Sequence, residues 1–159
     1  MKLINLVLGL LLLIGVASAT YPFPCGPHNC KKGEICRDID KICHCIPIPD
    51  CGDVDLKIKQ IGCWTQEYDD CGVKIKKTYS QYDVIIKNNS HRDIKEIVID
   101  TDSTFKLRGN DLWNMVKLPN GDLVLPHYQN SINAGASYTF GFIVEGSSAP
   151  NLSIKAVYY

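Results

Sequence analysis

The sequence predicts an all-β protein: an antiparallel β-sandwich of jelly-roll-like type preceded by a small disulfide-rich N-terminal module. Three observations predict it. Beyond Cys51, apolar and polar residues alternate over many short runs; clusters of turn-forming residues separate those runs; and six of the eight cysteines crowd between Cys25 and Cys51. A period of two buries one face of a strand, and no stretch after Cys51 shows convincing helical periodicity.

Residues 1–19 read as a cleavable export signal, with Lys2 as a small positive start, an apolar run from Leu6 to Val16, and Ala17-Ser18-Ala19 as a small-residue cleavage site. The run is shorter than the roughly 20 residues that cross a bilayer, so no membrane association is expected after cleavage. About 140 residues follow, enough for one modest domain and a small appendage, which excludes a large catalytic barrel. The 17 Lys and Arg balance 17 Asp and Glu, and no block of like charge stands out. That argues against nucleic acid or anionic lipid as a partner.

In residues 20–51, Gly, Pro and charged side chains dominate, and apolar residues are too few to close a core. Cys25, Cys30, Cys36, Cys43, Cys45 and Cys51 must hold this part, because exported cysteines in even number read as disulfides. Zinc is the competing reading, favoured by His28 and His44, but no spacing fits a standard zinc module. No metal or cofactor is expected. The spacing C-x4-C-x5-C-x6-C-x-C-x5-C resembles the short follistatin-like, EGF-like modules of extracellular proteins; it does not give the pairing.

The polar joint Ile46-Pro47-Ile48-Pro49-Asp50 ends the module, and residues 52–159 form the sandwich. Val54, Leu56 and Ile58 alternate, as do Tyr82, Val84 and Ile86; Ile97 and Ile99; Tyr138, Phe140, Phe142 and Val144; and Leu152, Ile154, Ala156 and Tyr158. Between them lie the turn signals Asn88-Asn89-Ser90, Arg108-Gly109-Asn110-Asp111, Pro119-Asn120-Gly121-Asp122, Asn133-Ala134-Gly135 and Gly146-Ser147-Ser148. Short strands of this kind, roughly seven to nine, pack as two sheets. Cys63 and Cys71 bracket an aromatic and acidic segment, and a bond between them is expected to fix a small loop.

From about Leu56 to Tyr159 the sequence resembles a carbohydrate-binding module of family 49. The resemblance runs in order through Trp64, Tyr79-Ser80-Gln81-Tyr82-Asp83-Val84, Ile85-Ile86-Lys87-Asn88-Asn89-Ser90, Ile94-Lys95-Glu96-Ile97 and Asp111-Leu112-Trp113-Asn114. It continues with Leu125-Pro126-His127-Tyr128 and with Ile132 to Ser137 leading into Phe140-Gly141-Phe142-Ile143. It implies a sandwich that holds cellulose or a related β-glucan on a flat row of aromatic rings. The faces of β-linked sugars are lined with C–H groups, against which a flat ring buries area at small entropic cost. Carried over by position, Trp64, Trp113 and Tyr128 would form the platform, with Gln66, Asn114 and Gln129 beside them to bond sugar hydroxyls. Tyr79, Tyr82, Tyr138, Phe140 and Phe142 fit core or half-buried strand positions instead.

Glycoside hydrolysis needs two carboxyl groups facing each other across a cleft. Glu67, Asp69 and Asp70 share one segment and Asp100 and Asp102 another, and the four histidines are scattered. No enzyme is expected. Asn88 and Asn151 begin N-glycosylation sequons. Taken together, these features predict a secreted, non-catalytic, lectin-like protein of an extracellular matrix, spore coat or cell wall. The alternative makes the cysteine-rich module the active part, as a signalling or protease-inhibitor-like binder of extracellular proteins with the sandwich as its matrix anchor.

Overall fold

The computed structural model describes residues 21–159 of the chain; the export signal expected at 1–19 lies outside the described residues. The chain runs through β1 (Phe23–Cys25), β2 (His28–Cys30), β3 (Glu34–Ile39), β4 (Ile42–Pro47), a 3-10 turn (Ile48–Asp50), β5 (Val54–Asp70), β6 (Val73–Asn88), β7 (Glu96–Thr101) and β8 (Leu107–Trp113). It ends with β9 (Val116–Lys117), β10 (Leu123–Val124), β11 (Ser137–Glu145) and β12 (Leu152–Tyr158).

Two sheets face each other, a four-stranded one in the order β5-β6-β11-β8 and a six-stranded one in the order β4-β3-β12-β7-β10-β9. Their inner faces meet in a single core. Tyr82, Val84, Ile86, Phe140, Phe142 and Val144 come from the first sheet, and Ile35, Ile97, Ile99, Leu123, Ile154 and Val157 from the second. These are the alternating positions of the sequence, so the period of two does set the sandwich. The structure is all-β, as predicted.

Two features depart from short, evenly alternating strands. β5 and β6 span 17 and 16 residues and form one long hairpin. Cys71 and Gly72, both at positive φ (52° and 83°), make its two-residue turn. In β12 a bulge between Ile154 and Ala156 breaks the expected alternation: Ile154 and Val157 enter the core, while Ala156 and Tyr158 turn to the opposite face.

That opposite face is covered. β3 adds to β12 in parallel, pairing Cys36 with Ala156, so the cysteine-rich segment shares the six-stranded sheet. The disulfides Cys25–Cys36 and Cys30–Cys45 then fold β1 and β2 down onto Ala156, Val98 and Tyr158 as a second apolar cluster. The Sγ atoms of Cys25, Cys30 and Cys45 lie within 4.8 Å of one another, but all three are committed to disulfides and a zinc site needs thiolates.

The remaining disulfide expectations are corrected. Cys43 belongs to the cluster under β1 and β2, whereas Cys51 packs against the core on the other side of the sheet, so the sheet separates them and both are unbonded. Cys63 and Cys71 do not close a loop. Both are exposed and unbonded, with seven residues of extended chain between them, which sets them roughly 26 Å apart at the rise of a strand. A disulfide requires Cα atoms within about 7 Å.

The cap also buries charge. Lys155 is 2% exposed; its Nζ bonds both oxygens of Asp122 at 3.1 and 3.0 Å and lies 3.7 Å from Asp100, with the Phe23 ring 5.1 Å away. One lysine thus faces two carboxylates. Burial pushes the Asp100 carboxyl above the usual carboxylate range, Asp122 adds to the shift, and Lys155 opposes it. A carboxyl raised by folding costs stability as it ionises: the cost is absent below its unfolded pKa of about 3.9 and complete above the folded value. Asp100→Asn is therefore expected to melt at a higher temperature than the parent at pH 7. The difference should shrink as the pH falls toward about 4 and be absent below it, in thermal melts followed by circular dichroism.

Candidate functional site

Because one face of the six-stranded sheet is core and the other is capped, the outer face of the four-stranded sheet is the broad sheet surface left open. Side chains there are fixed by register. Phe140, Phe142 and Val144 of β11 point inward, so Thr139, Gly141, Ile143 and Glu145 point outward. Gly141 stands opposite Trp113 of β8, and Glu145 opposite Tyr79 of β6, which stands opposite Trp64 of β5. Trp64 and Trp113 therefore share this face.

Trp113 lies flat over a backbone made bare for it. A Cβ on Gly141 would meet Cε2 and Cζ2 of the indole at 2.4 Å. A glycine inside a strand commonly marks such a close approach. The ring stays 37% exposed. The next residue, Asn114, adopts positive φ (61°), and its side-chain amide donates to the Thr139 carbonyl at 3.1 Å while its backbone carbonyl accepts from the Tyr138 hydroxyl at 2.8 Å. Tyr128, 62% exposed, brings its hydroxyl to 3.5 Å from Asn114 Oδ1. Gln129 follows in the same turn, its amide donating to Ser131 O at 2.6 Å, beside a groove of about 390 Å³ between Tyr128 and Tyr138. Trp113, Asn114, Tyr128 and Gln129 are thus one cluster.

Trp64 belongs to a second cluster on the same face. It is three strands across and four residues along from Trp113, roughly 20 Å at sheet spacings. It was expected in a small loop between Cys63 and Cys71 and sits instead in the middle of β5, half-buried, because Arg108 and Tyr79 pack on it. The Arg108 guanidinium lies 5.5 Å from the Trp64 ring and 5.6 Å from the Tyr79 ring, and its Nε donates to Asp111 at 2.5 Å. Tyr79 faces outward yet is buried under Trp64, Tyr68 and Arg108. Its phenol is pushed up to about 12, chiefly by the hydrogen bond with Tyr68 3.0 Å away, so it stays neutral across the physiological range. Gln66 lies beyond Trp64, opposite Lys77.

Sequence reasoning missed Arg108, which only the register of β8 against β11 brings over Trp64. It missed the seat at Gly141 as well, although a glycine interrupting the run from Tyr138 to Val144 was a visible signal. The acidic groups are dispersed: Glu67, Asp69 and Asp70 lie on the β5–β6 hairpin, and Asp100 is engaged with Lys155. The sequon at Asn88 is corrected. Asn88 is fully buried, with its side-chain amide donating to the carbonyls of Arg92, Ile132 and Asn133, and a glycan at that nitrogen is incompatible with the fold. Asn151 is exposed and its amide bonds Asp102 at 2.8 Å.

Residues 65–145 match the family of the carbohydrate binding domain CBM49. Stalk-specific protein A and stalk-specific protein B of Dictyostelium discoideum are each 46% identical to this chain over 160 residues, covering 99% of it and 99% of each relative. A solved chitinase, ChiA74 from Bacillus thuringiensis, overlaps 63% of this chain and 23% of its own at 17% identity and a TM-score of 0.37, a likeness too slight to support any argument.

The seat of Trp113 can be tested directly. Gly141→Ala, in a Trp64→Phe background so that Trp113 is the remaining indole, is expected to lift the ring off β11 and shift its fluorescence emission to the red. The accompanying loss of stability should be about 1 kcal/mol, the lower end of overpacking penalties.

Proposed function

Because the chain belongs to the CBM49 family of carbohydrate-binding domains, we propose that it is a secreted, non-catalytic protein of an extracellular matrix or wall that holds cellulose or a related β-glucan on the outer face of its four-stranded sheet. The observation behind this is the indole of Trp113, laid flat over Gly141 on an open sheet face and flanked by the exposed ring of Tyr128. A flat ring held in place before binding loses little entropy when a sugar stacks on it. Asn114 and Gln129 supply amide groups at the edge of that ring pair, and Trp64 with Arg108 supplies a second contact along the same face. A ligand touching both clusters must be several sugars long, which favours a polymer over a monosaccharide. The names of the Dictyostelium relatives, both stalk-specific proteins, agree with a matrix setting. Residues 20–51 serve in this reading as a structural cap on the sandwich of residues 52–159.

Purified protein is expected to deplete from solution onto microcrystalline cellulose. Trp113→Ala should weaken the binding isotherm about tenfold, equivalent to about 1.4 kcal/mol, with Tyr128→Ala acting in the same direction. Trp64→Ala should cost less, since Arg108 already covers part of that ring. Parent protein that stays in the supernatant would reject the reading.

A further inference from the structure

The four-stranded sheet runs on past the sandwich as a two-stranded arm. Pairing between β11 and β6 stops at Tyr79, so residues 65–70 of β5 and 73–78 of β6 have only each other as strand partners, and β5 is the outer strand of its sheet. Every residue from Thr65 to Lys77 is exposed, including Tyr68, Ile75 and Val73. An open edge of this length presents a row of unpaired backbone N–H and C=O groups to another strand. At its two ends stand Cys63 and Cys71, exposed, unbonded and too far apart to join each other. The β5 bulge lies before Gly62, so alternation is unbroken from Cys63 to Asp70 and places Cys63 on the same side as Thr65, Glu67 and Asp69, with Cys71 following Asp70 at the turn.

We propose that the arm joins two copies of this chain: the β5 edges pair antiparallel about a two-fold axis at Glu67, and Cys63 of each copy forms a disulfide with Cys71 of the other. The two cysteines lie four residues on either side of Glu67, so this axis exchanges their positions. Residues directly opposite on antiparallel strands have Cα atoms about 4.5 to 5.5 Å apart, within the span of a disulfide. The arms overlap while the two sandwiches lie at opposite ends, clear of each other. Each bond removes one hydrogen from each of two thiols; the two electrons and two protons pass to a low-molecular-weight disulfide such as oxidised glutathione, which is released as two thiols. Glu67 meets its own copy at the axis, and Lys76, 2.9 Å from Glu67 across the hairpin, offsets that repulsion. An axis normal to the sheet leaves both copies' Trp64 on the same side, so the dimer would offer two aromatic faces to one polysaccharide surface. Only this last consequence rests on the ligand reading.

The purified protein treated with oxidised glutathione is expected to run as a covalent dimer on non-reducing gels and to return to monomer with dithiothreitol. Cys63→Ser and Cys71→Ser are each expected to stay monomeric under oxidation, and a mixture of the two to form a dimer through a single bond that peptide mapping assigns to Cys63 and Cys71. Circular dichroism checks that both variants fold. Moderate salt should speed the reaction by screening the acids of the arm. A protein that stays monomeric under oxidation, single variants that cross-link as well as the parent, or a bond mapped to Cys43 or Cys51 would overturn the proposal. No glucan enters this assay, so its failure leaves the ligand reading standing. Dimers that ignore cellulose would reject the ligand reading alone.

Discussion

The parallel addition of β3 to β12 is the contact on which the rest of the molecule depends. It brings Cys36 beside Ala156 and lets two disulfides hold β1 and β2 against a sheet face that would otherwise be wet. The bulge in β12 makes the contact possible, turning Ala156 and Tyr158 outward to meet the cysteines while Ile154 and Val157 stay in the core. The cysteine-rich segment has too few apolar residues for a core of its own, and it solves that problem by borrowing a face of the sandwich. The price is a buried Lys155 that must satisfy itself with Asp122 and Asp100.

Capping one sheet determines where ligand chemistry can sit. A two-sheet sandwich has two outer faces, and covering one leaves the four-stranded face for aromatic side chains. That face is not a plain hydrophobic patch. Gly141 provides a seat for Trp113, Asn114 at positive φ ties the end of β8 to β11 and approaches Tyr128, and Arg108 binds Trp64 to the layer of Tyr79 and Tyr68. Each exposed ring is held by something beneath or beside it, so in the proposed function little freedom would be lost on binding a rigid polymer.

Much of this was legible in the sequence. The runs at Tyr82–Ile86, Ile97–Ile99 and Tyr138–Val144 gave both sheets and most of the core, because a half-buried strand must alternate. Tyr82, Phe140 and Phe142 were correctly placed inside. The bulge at Ile154 was not legible, since one inserted residue leaves no mark on a short alternating run. The length of the β5–β6 hairpin was hidden too: from Thr65 to Lys77 neither face is buried, so no pattern of burial shapes the residues. Reading Cys63 and Cys71 as a loop staple followed from that omission, and the buried role of Asn88 was masked by a sequon that describes only local sequence. Arg108 and Trp64 meet through pairings distant in the chain, which no local pattern reports.

The central claim is that carbohydrate docks on the outer face of the four-stranded sheet. Its most direct test is chemical-shift mapping of the isotopically labelled protein with a soluble β-1,4-gluco-oligosaccharide. The account predicts shifts at the indole N–H groups of Trp64 and Trp113 and at the amides of Asn114, Tyr128 and Thr139 to Ile143, with the strands of the cysteine-rich cap unmoved. Shifts concentrated on β1 to β4, with both indoles unchanged, would contradict it.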